Sequence, residues 1–531
     1  MFDILIKNGT IVDGTRAKRF VADIGVKDGK IAKIGTNLTE EAGKIIDATG
    51  LIVTPGFIDS HTHSDRAFLL GTDSYNFLEQ GVTTEIAGQC GSSCVPYYEG
   101  LNLPTKTEPG SPEYEELFAA CDNYHAFMEH ARKQQIGTNL AFYAGQGAIR
   151  GRVMGFSPER PTAEELAEQK KWVAQAMEAG YLGITTGFVY APSVYADEAE
   201  TVELCKTVAE YGGSYSSHIR DEADDVVEAV QEAINIAEKA KVPTVISHLK
   251  VTGVHNEGLS TTLLKMIDDA NDKGLKVLAD QYPYTAGSAP FISTIPAQCH
   301  TVGPKQLVEN LKSPEYRKEL VKLIRSIPTS SYNLAGFDAF LIVDSSKTPQ
   351  YVGKNLQQIA DEEGKDPFDV AFDLLVDNDG VVQMVYFTQN QSDMDRILAH
   401  PRVMAGADWS DYPQHFDREK VGGGHPRGTA TMIRHLELVR DRGLFTLEDA
   451  IARITSMPAD MYMIDGIGYL KEGYNADIAI FDYAALKAHA DFIHPFRKND
   501  GVHYVVVNGQ LVVEDGLVNG TRAGKIHTKR K

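Results

Sequence analysis

Gly56-Phe57-Ile58-Asp59-Ser60-His61-Thr62-His63 decides how this chain folds. An apolar run, Leu51-Ile52-Val53, passes through Thr54-Pro55 into Phe57-Ile58 and then delivers two histidines one residue apart. If residues 57–63 form one β-strand, alternate side chains share a face, so His61 and His63 point the same way. Two imidazoles at the end of a buried strand are a ready pair of metal ligands. An isolated His-x-His is more often a surface turn, so the reading rests on what surrounds it.

Outward from Pro55, apolar strand-like runs alternate with amphipathic helical stretches, the rhythm of βα units in a parallel sheet. The runs are 56–63, 81–90, 138–145, 183–190, 214–220, 244–250, 276–284 and 402–409. Helical stretches lie between them, as at 164–179, 200–211 and 221–239; the last carries Val226, Val227, Val230, Ile234 and Ile236 on its apolar side. Eight such units predict an α/β fold, a (β/α)8 barrel of the TIM type. The connection from the seventh run to the eighth is far longer than an ordinary loop. It predicts an inserted subdomain, about residues 289–395, with helices at 305–311, 314–326, 355–363 and 366–376 and a strand at 381–387.

Both ends of the chain read as short strands. Asn8-Gly9, Asp28-Gly29 and Asn508-Gly509 carry hairpin signals, and strands are expected at 467–469, 476–481, 503–507 and 510–514. Residues 1–55 and 465–531 are therefore expected to pair into one small β-sandwich domain, flanking a barrel domain at 56–464.

Composition narrows the function. The 531 residues are 43% hydrophobic, with no run approaching the ~20 apolar residues of a membrane span. A formal net charge of −21 argues against nucleic-acid and anionic-membrane partners. Five cysteines do not make a disulfide framework, and the N-terminus lacks the features of a secretory signal, so a cytoplasmic protein is expected. Nothing in the sequence sets an oligomeric state.

Active-site groups of a barrel sit at the C-terminal ends of its strands. There the runs place His61 and His63, Cys90, His218, His248 and Asp408. A lone histidine at a strand end is usually a satisfied hydrogen-bonding residue, and a lone buried cysteine a small hydrophobe. Six metal-binding groups at one level of one barrel point instead to a metal site, and thiolate with imidazole favours zinc. Lys250 follows His248 by two residues and Arg220 follows His218 by two. Tyr190, Tyr282, Tyr284 and Arg427 stand at or just beyond other strand ends. An Arg with a Tyr suits a substrate carboxylate, and a cation beside a metal polarises a carbonyl. For Arg220 a salt bridge in the barrel rim is an equal alternative.

These segments resemble the amidohydrolase superfamily and, within it, the D-aminoacylase (N-acyl-D-amino-acid deacylase) family, nearly end to end. The superfamily likeness lies in residues 4–14, 55–63 and 476–482. The family likeness lies in Cys90 within Gly88-Gln89-Cys90-Gly91, Ser217-His218-Ile219-Arg220, Ser247-His248-Leu249-Lys250, Tyr282-Pro283-Tyr284 and His425-Pro426-Arg427. Strand four, residues 183–190, has no lysine to be carbamylated, in keeping with a family in which a cysteine takes that ligand role. The resemblance implies that Cys90, His218 and His248 hold a tightly bound zinc, and that His61, His63 and Asp408 form a second, weaker site. It further implies that Lys250, Tyr282 and Arg427 contact an N-acyl amino acid, with Tyr190 nearby. Gly406-Ala407-Asp408-Trp409 and Gly145-Gln146-Gly147 depart from the family pattern. The expected reaction is hydrolysis of a linear amide with Asp408 as general base and then acid. The rivals are a cyclic amidase of the hydantoinase kind, an unusual dipeptidase and, remotely, a non-catalytic scaffold.

Overall fold

The computed structural model describes residues 1–66, 73–99, 101, 111–411 and 424–530. Its centre is a closed barrel of eight parallel strands: Phe57–Asp59, Val82–Ala87, Asn139–Phe142 (continued by Ala144–Gly145), Gly183–Gly187, Ser214–His218, Thr244–Ile246, Val277–Gln281 and Val403–Ala405. Each pairs in parallel with the next. The eighth returns to the first through Asp408 N–H to His61 O at 2.8 Å and His63 N–H to Trp409 O at 2.8 Å. Ile58, Ile86, Ala141, Val245, Leu278 and Met404, from six different strands, share one buried cluster, as a packed barrel interior requires. The helices between strands follow from local signals. Ala163–Ala179, for example, opens on a capping box of Thr162 with Glu165 and stops at Gly180, where φ is 102°.

The first strand is shorter than residues 56–63. Its ladder ends at Asp59, whose Oδ1 accepts the N–H groups of His61 (3.1 Å) and Ala407 (2.9 Å). That buried carboxylate competes with the ladder and ties the end of strand one to the end of strand eight.

Strands from both termini form one nine-stranded sheet. Asp28-Gly29 and Asn508-Gly509 each join antiparallel neighbours, as expected. Asn8-Gly9 does not turn the chain: Phe2–Ile11 runs straight through it, and the pairing with Phe20–Lys27 shifts register there. Asn8, at φ 60°, absorbs the irregularity as its N–H reaches Asp23 Oδ1 at 2.8 Å. Residues 467–469 are a loop rather than a strand, because Gly468 sits at φ 80°.

Between the seventh and eighth barrel strands lies a three-stranded antiparallel sheet, Gly287–Pro290, Gln383–Tyr386 and Phe340–Asp344. Helices Pro314–Ser326, Leu356–Glu363 and Pro367–Asp377 accompany it around a separate core that includes Phe291, Phe340, Phe368 and Phe372. Only the strand near 381–387 was legible in the sequence. The other two are short and irregular in their alternation. No helix among the described residues is long and apolar enough to cross a membrane.

Candidate metal centre

The site is built where the strands stop. Beyond strand two the chain reads Gly88-Gln89-Cys90-Gly91, and the glycines are a steric necessity. A Cβ on Gly88 (φ 82°) would lie 2.2 Å from Tyr143 O, and one on Gly91 (φ 70°) would lie 2.6 Å from Gly187 N. Only a backbone this slim threads between the ends of strands three and four to present Cys90. Cys90, His248 and Asp408 all adopt positive φ (54°, 34° and 51°). Left-handed backbone costs a non-glycine residue roughly 1–3 kcal/mol, and such strain persists at functional sites.

These side chains converge. His61 Nε2 lies 3.3 Å from Cys90 Sγ and 3.4 Å from Asp408 Oδ1, and Cys90 Sγ lies 3.4 Å from His248 Nε2. His63 Nε2 reaches the same Asp408 Oδ1 at 3.1 Å. One donor atom from each of His61, Cys90, His248 and Asp408 falls within 4.8 Å of the others; His218, Glu222 and His248 form a second such group. The donors fit a divalent metal. They combine thiolate, imidazole and carboxylate, and His218 Nδ1 is buried without a hydrogen-bond partner among the described residues. Burial alone would raise the Cys90 thiol, but the His61 and His248 imidazoles pull it well below its ordinary value, toward the ligating thiolate. Burial likewise opposes charge on Asp408, yet the Arg427 guanidinium, with Nη1 2.7 Å from Oδ2, holds that carboxyl well below its usual range.

Three positioning groups escaped the sequence reading. Asp280, on strand seven, accepts the His248 N–H at 2.6 Å and faces His61 Nδ1 at 3.2 Å, a carboxylate backing two candidate ligands. Its signal was a lone acid inside an apolar strand. Asp59, clamping strand one to strand eight, has its carboxyl raised to about 7 by burial. Glu222, beyond strand five, meets Lys250 Nζ at 2.5 Å, His248 Nδ1 at 3.2 Å and His218 Nε2 at 3.6 Å. It lies in an acidic stretch that reads as a solvated face, so no sequence signal marked it.

A cavity of about 710 Å³ opens over this cluster, lined by Lys250, Tyr282, Tyr190 and Arg427 among others. Lys250 Nζ lies 2.7 Å from His248 Nδ1. Burial works against its charge, but Glu222 overrides that and keeps the ammonium above its ordinary value. Arg427 opens helix Arg427–Arg442 and lies over the Tyr282 ring at 4.6 Å. Its Nη2 donates to Ser288 O at 3.2 Å, while its Nε is buried without a partner among the described residues. The Tyr190 ring meets His218 edge-on at 5.2 Å. Arg220 takes the salt-bridge alternative, paired with Glu232 at 2.8 Å. Gln146 accepts from Ser193 Oγ at 2.5 Å and braces the strand-four loop. The path from Asp408 to Arg427 runs through residues 412–423, outside the described residues.

A closed (β/α)8 barrel with such donors at its mouth is suited to metal-assisted hydrolysis. The chain belongs to the amidohydrolase family, whose profile matches residues 44–300 and 343–513. It is 33% identical to a D-aminoacylase of Alcaligenes xylosoxydans xylosoxydans over 99% of this chain and 97% of that one. The crystal structure of a D-aminoacylase superposes with a TM-score of 0.81 at 31% identity, covering 100% of both chains. An N-acyl-D-glutamate deacylase from Bordetella bronchiseptica, complexed with zinc and a phosphonate mimic of the tetrahedral intermediate, superposes with a TM-score of 0.80 at 31% identity over 99% of both.

Proposed function

We propose that this chain is a cytoplasmic zinc-dependent deacylase that hydrolyses the amide bond of N-acyl-D-amino acids to a carboxylate and a free D-amino acid. The chemistry is assigned to a barrel unit at 56–464. The observation that carries the reading is one cavity holding both a thiolate–imidazole–carboxylate cluster and a buried arginine with an unpartnered Nε.

In this reading Cys90, His218 and His248 hold the tight zinc, and His61, His63 and Asp408 offer a second, weaker site. Bound zinc lowers the pKa of water toward ~7 and polarises the amide carbonyl. Asp408 Oδ1 takes the proton of the attacking water and returns it to the leaving amine, while Arg427 on Oδ2 keeps the carboxylate ionised and fixed. Lys250 has three N–H donors; Glu222 Oε1 accepts one, and the ammonium that remains is assigned to the developing oxyanion. Arg427 Nε and the Tyr282 hydroxyl hold the substrate α-carboxylate, which fixes the enantiomer whose amide reaches the attacking oxygen.

A panel of N-acetyl-D- and N-acetyl-L-amino acids, run on protein of measured zinc content, tests this. Turnover of D substrates is expected; cleavage of L substrates only, or of none, overturns it.

A further inference from the structure

The inserted sheet supplies one wall of the cavity, with Ser288, Pro290, Asp344, Gln383 and Tyr386 facing it. The wall is joined to the carboxylate-binding end. Ser288 O accepts from Arg427 Nη2 at 3.2 Å, and Ser288 Oγ accepts from Gln383 Nε2 at 3.1 Å. Asp344 stands directly opposite Gln383 in the antiparallel ladder, and it does so because of a register shift between Ile342 and Asp344. Without that extra residue Val343 would face Gln383. The irregularity turns a carboxylate to the side of Gln383, which is what bulges beside active sites do.

Two cations line the cavity among the described residues, and both are already engaged: Lys250 by Glu222 and Arg427 by Asp408. Asp344, in contrast, has no ion-pair partner among the described residues. Burial raises its carboxyl above the ordinary value, and no neighbouring cation opposes that. The wall beyond Arg427 therefore presents a carboxyl group with no ion-pair partner among the described residues.

We propose that Asp344 sets side-chain selectivity, favouring N-acyl-D-amino acids with a cationic side chain and disfavouring those with an acidic one. This rests on the deacylase reading above. A substrate whose α-carboxylate is held at Arg427 lies along the Ser288–Gln383–Asp344 wall. A side-chain ammonium there meets a partner, and a side-chain carboxylate meets a like charge in a partly desolvated cavity. Asp344 is partly exposed at the cavity wall rather than packed in a core, so its replacement is expected to leave the fold intact.

The test compares kcat/KM for N-acetyl-D-lysine, N-acetyl-D-leucine and N-acetyl-D-glutamate across the zinc-loaded wild type, Asp344→Asn and Asp344→Lys. The wild type is expected to favour lysine over glutamate by about tenfold or more; Asn narrows that ratio and Lys inverts it, with leucine changed less than about twofold. A lysine-to-glutamate ratio equal in all three proteins, or a wild type that favours glutamate, overturns the role of Asp344 alone. A wild type that cleaves none of the three overturns the deacylase reading, and this proposal with it.

Discussion

Lys250 Nζ and Glu222 Oε1 lie 2.5 Å apart beneath the cavity, both almost wholly buried, and the same Glu222 oxygen faces His218 and His248. This carboxylate neutralises a lysine while steadying two histidines, so it couples the metal-binding side of the site to the substrate side. Removing one member of a buried pair leaves an uncompensated charge, which costs about 3–5 kcal/mol. Glu222→Gln is therefore expected to lower the midpoint of urea unfolding, reduce zinc content and cut kcat together. A stable variant with full zinc and normal kcat contradicts the coupling.

Cys90 is the only thiol among the clustered donors, and its neighbours favour the thiolate. Cys90→Ala is expected to lose most of its zinc, read by elemental analysis after dialysis. One full equivalent retained with normal turnover refutes the ligand role.

Asp408 is assigned the proton transfer, which contributes about 10²–10⁴-fold in comparable sites. Asp408→Asn should keep the tight zinc while kcat falls by that order. A kcat within a few-fold of wild type rules the general base out.

Arg427 stacks on Tyr282 with an unpartnered Nε, a planar fork that lysine does not reproduce. Arg427→Lys should lower kcat on both substrate classes through Asp408 and, beyond that, raise KM about tenfold for N-acyl-D-amino acids but much less for the corresponding α-carboxamides. An equal rise in KM on both classes argues against carboxylate recognition.

His435, on the helix that Arg427 opens, is 1% exposed, and its ring meets no hydrogen-bonding side chain among the described residues. Burial, helped by Arg453, lowers its pKa to about 3 in the fold. Its contribution is complete above the unfolded value near 6.5 and is lost as pH falls from there toward 3. The loss reaches at most about 5 kcal/mol. Denaturation midpoints of wild type should fall across that window, and those of His435→Leu should fall less steeply. Parallel pH profiles contradict the assignment.

Much of this molecule was legible in one dimension. The alternation of apolar runs with helical stretches carried the eight-stranded barrel, because strand and helix periods are local properties of a sequence. Donor residues at the ends of those runs carried the idea of a metal site, because a barrel brings all its strand ends to one level. What was not legible is pairwise and long-range. Asp280 behind His61 and His248, Glu222 beneath Lys250, and Asp59 bridging His61 to Ala407 each join segments far apart in the chain. The opening His61-Thr62-His63 shows the division. Its residues announced a ligand pair through strand alternation, yet the strand stops at Asp59. The two rings reach Asp408 instead because strand eight closes against that turn. Local periodicity determined which elements form; only closure of the barrel, which pairs residues about 345 positions apart, decided which side chains meet.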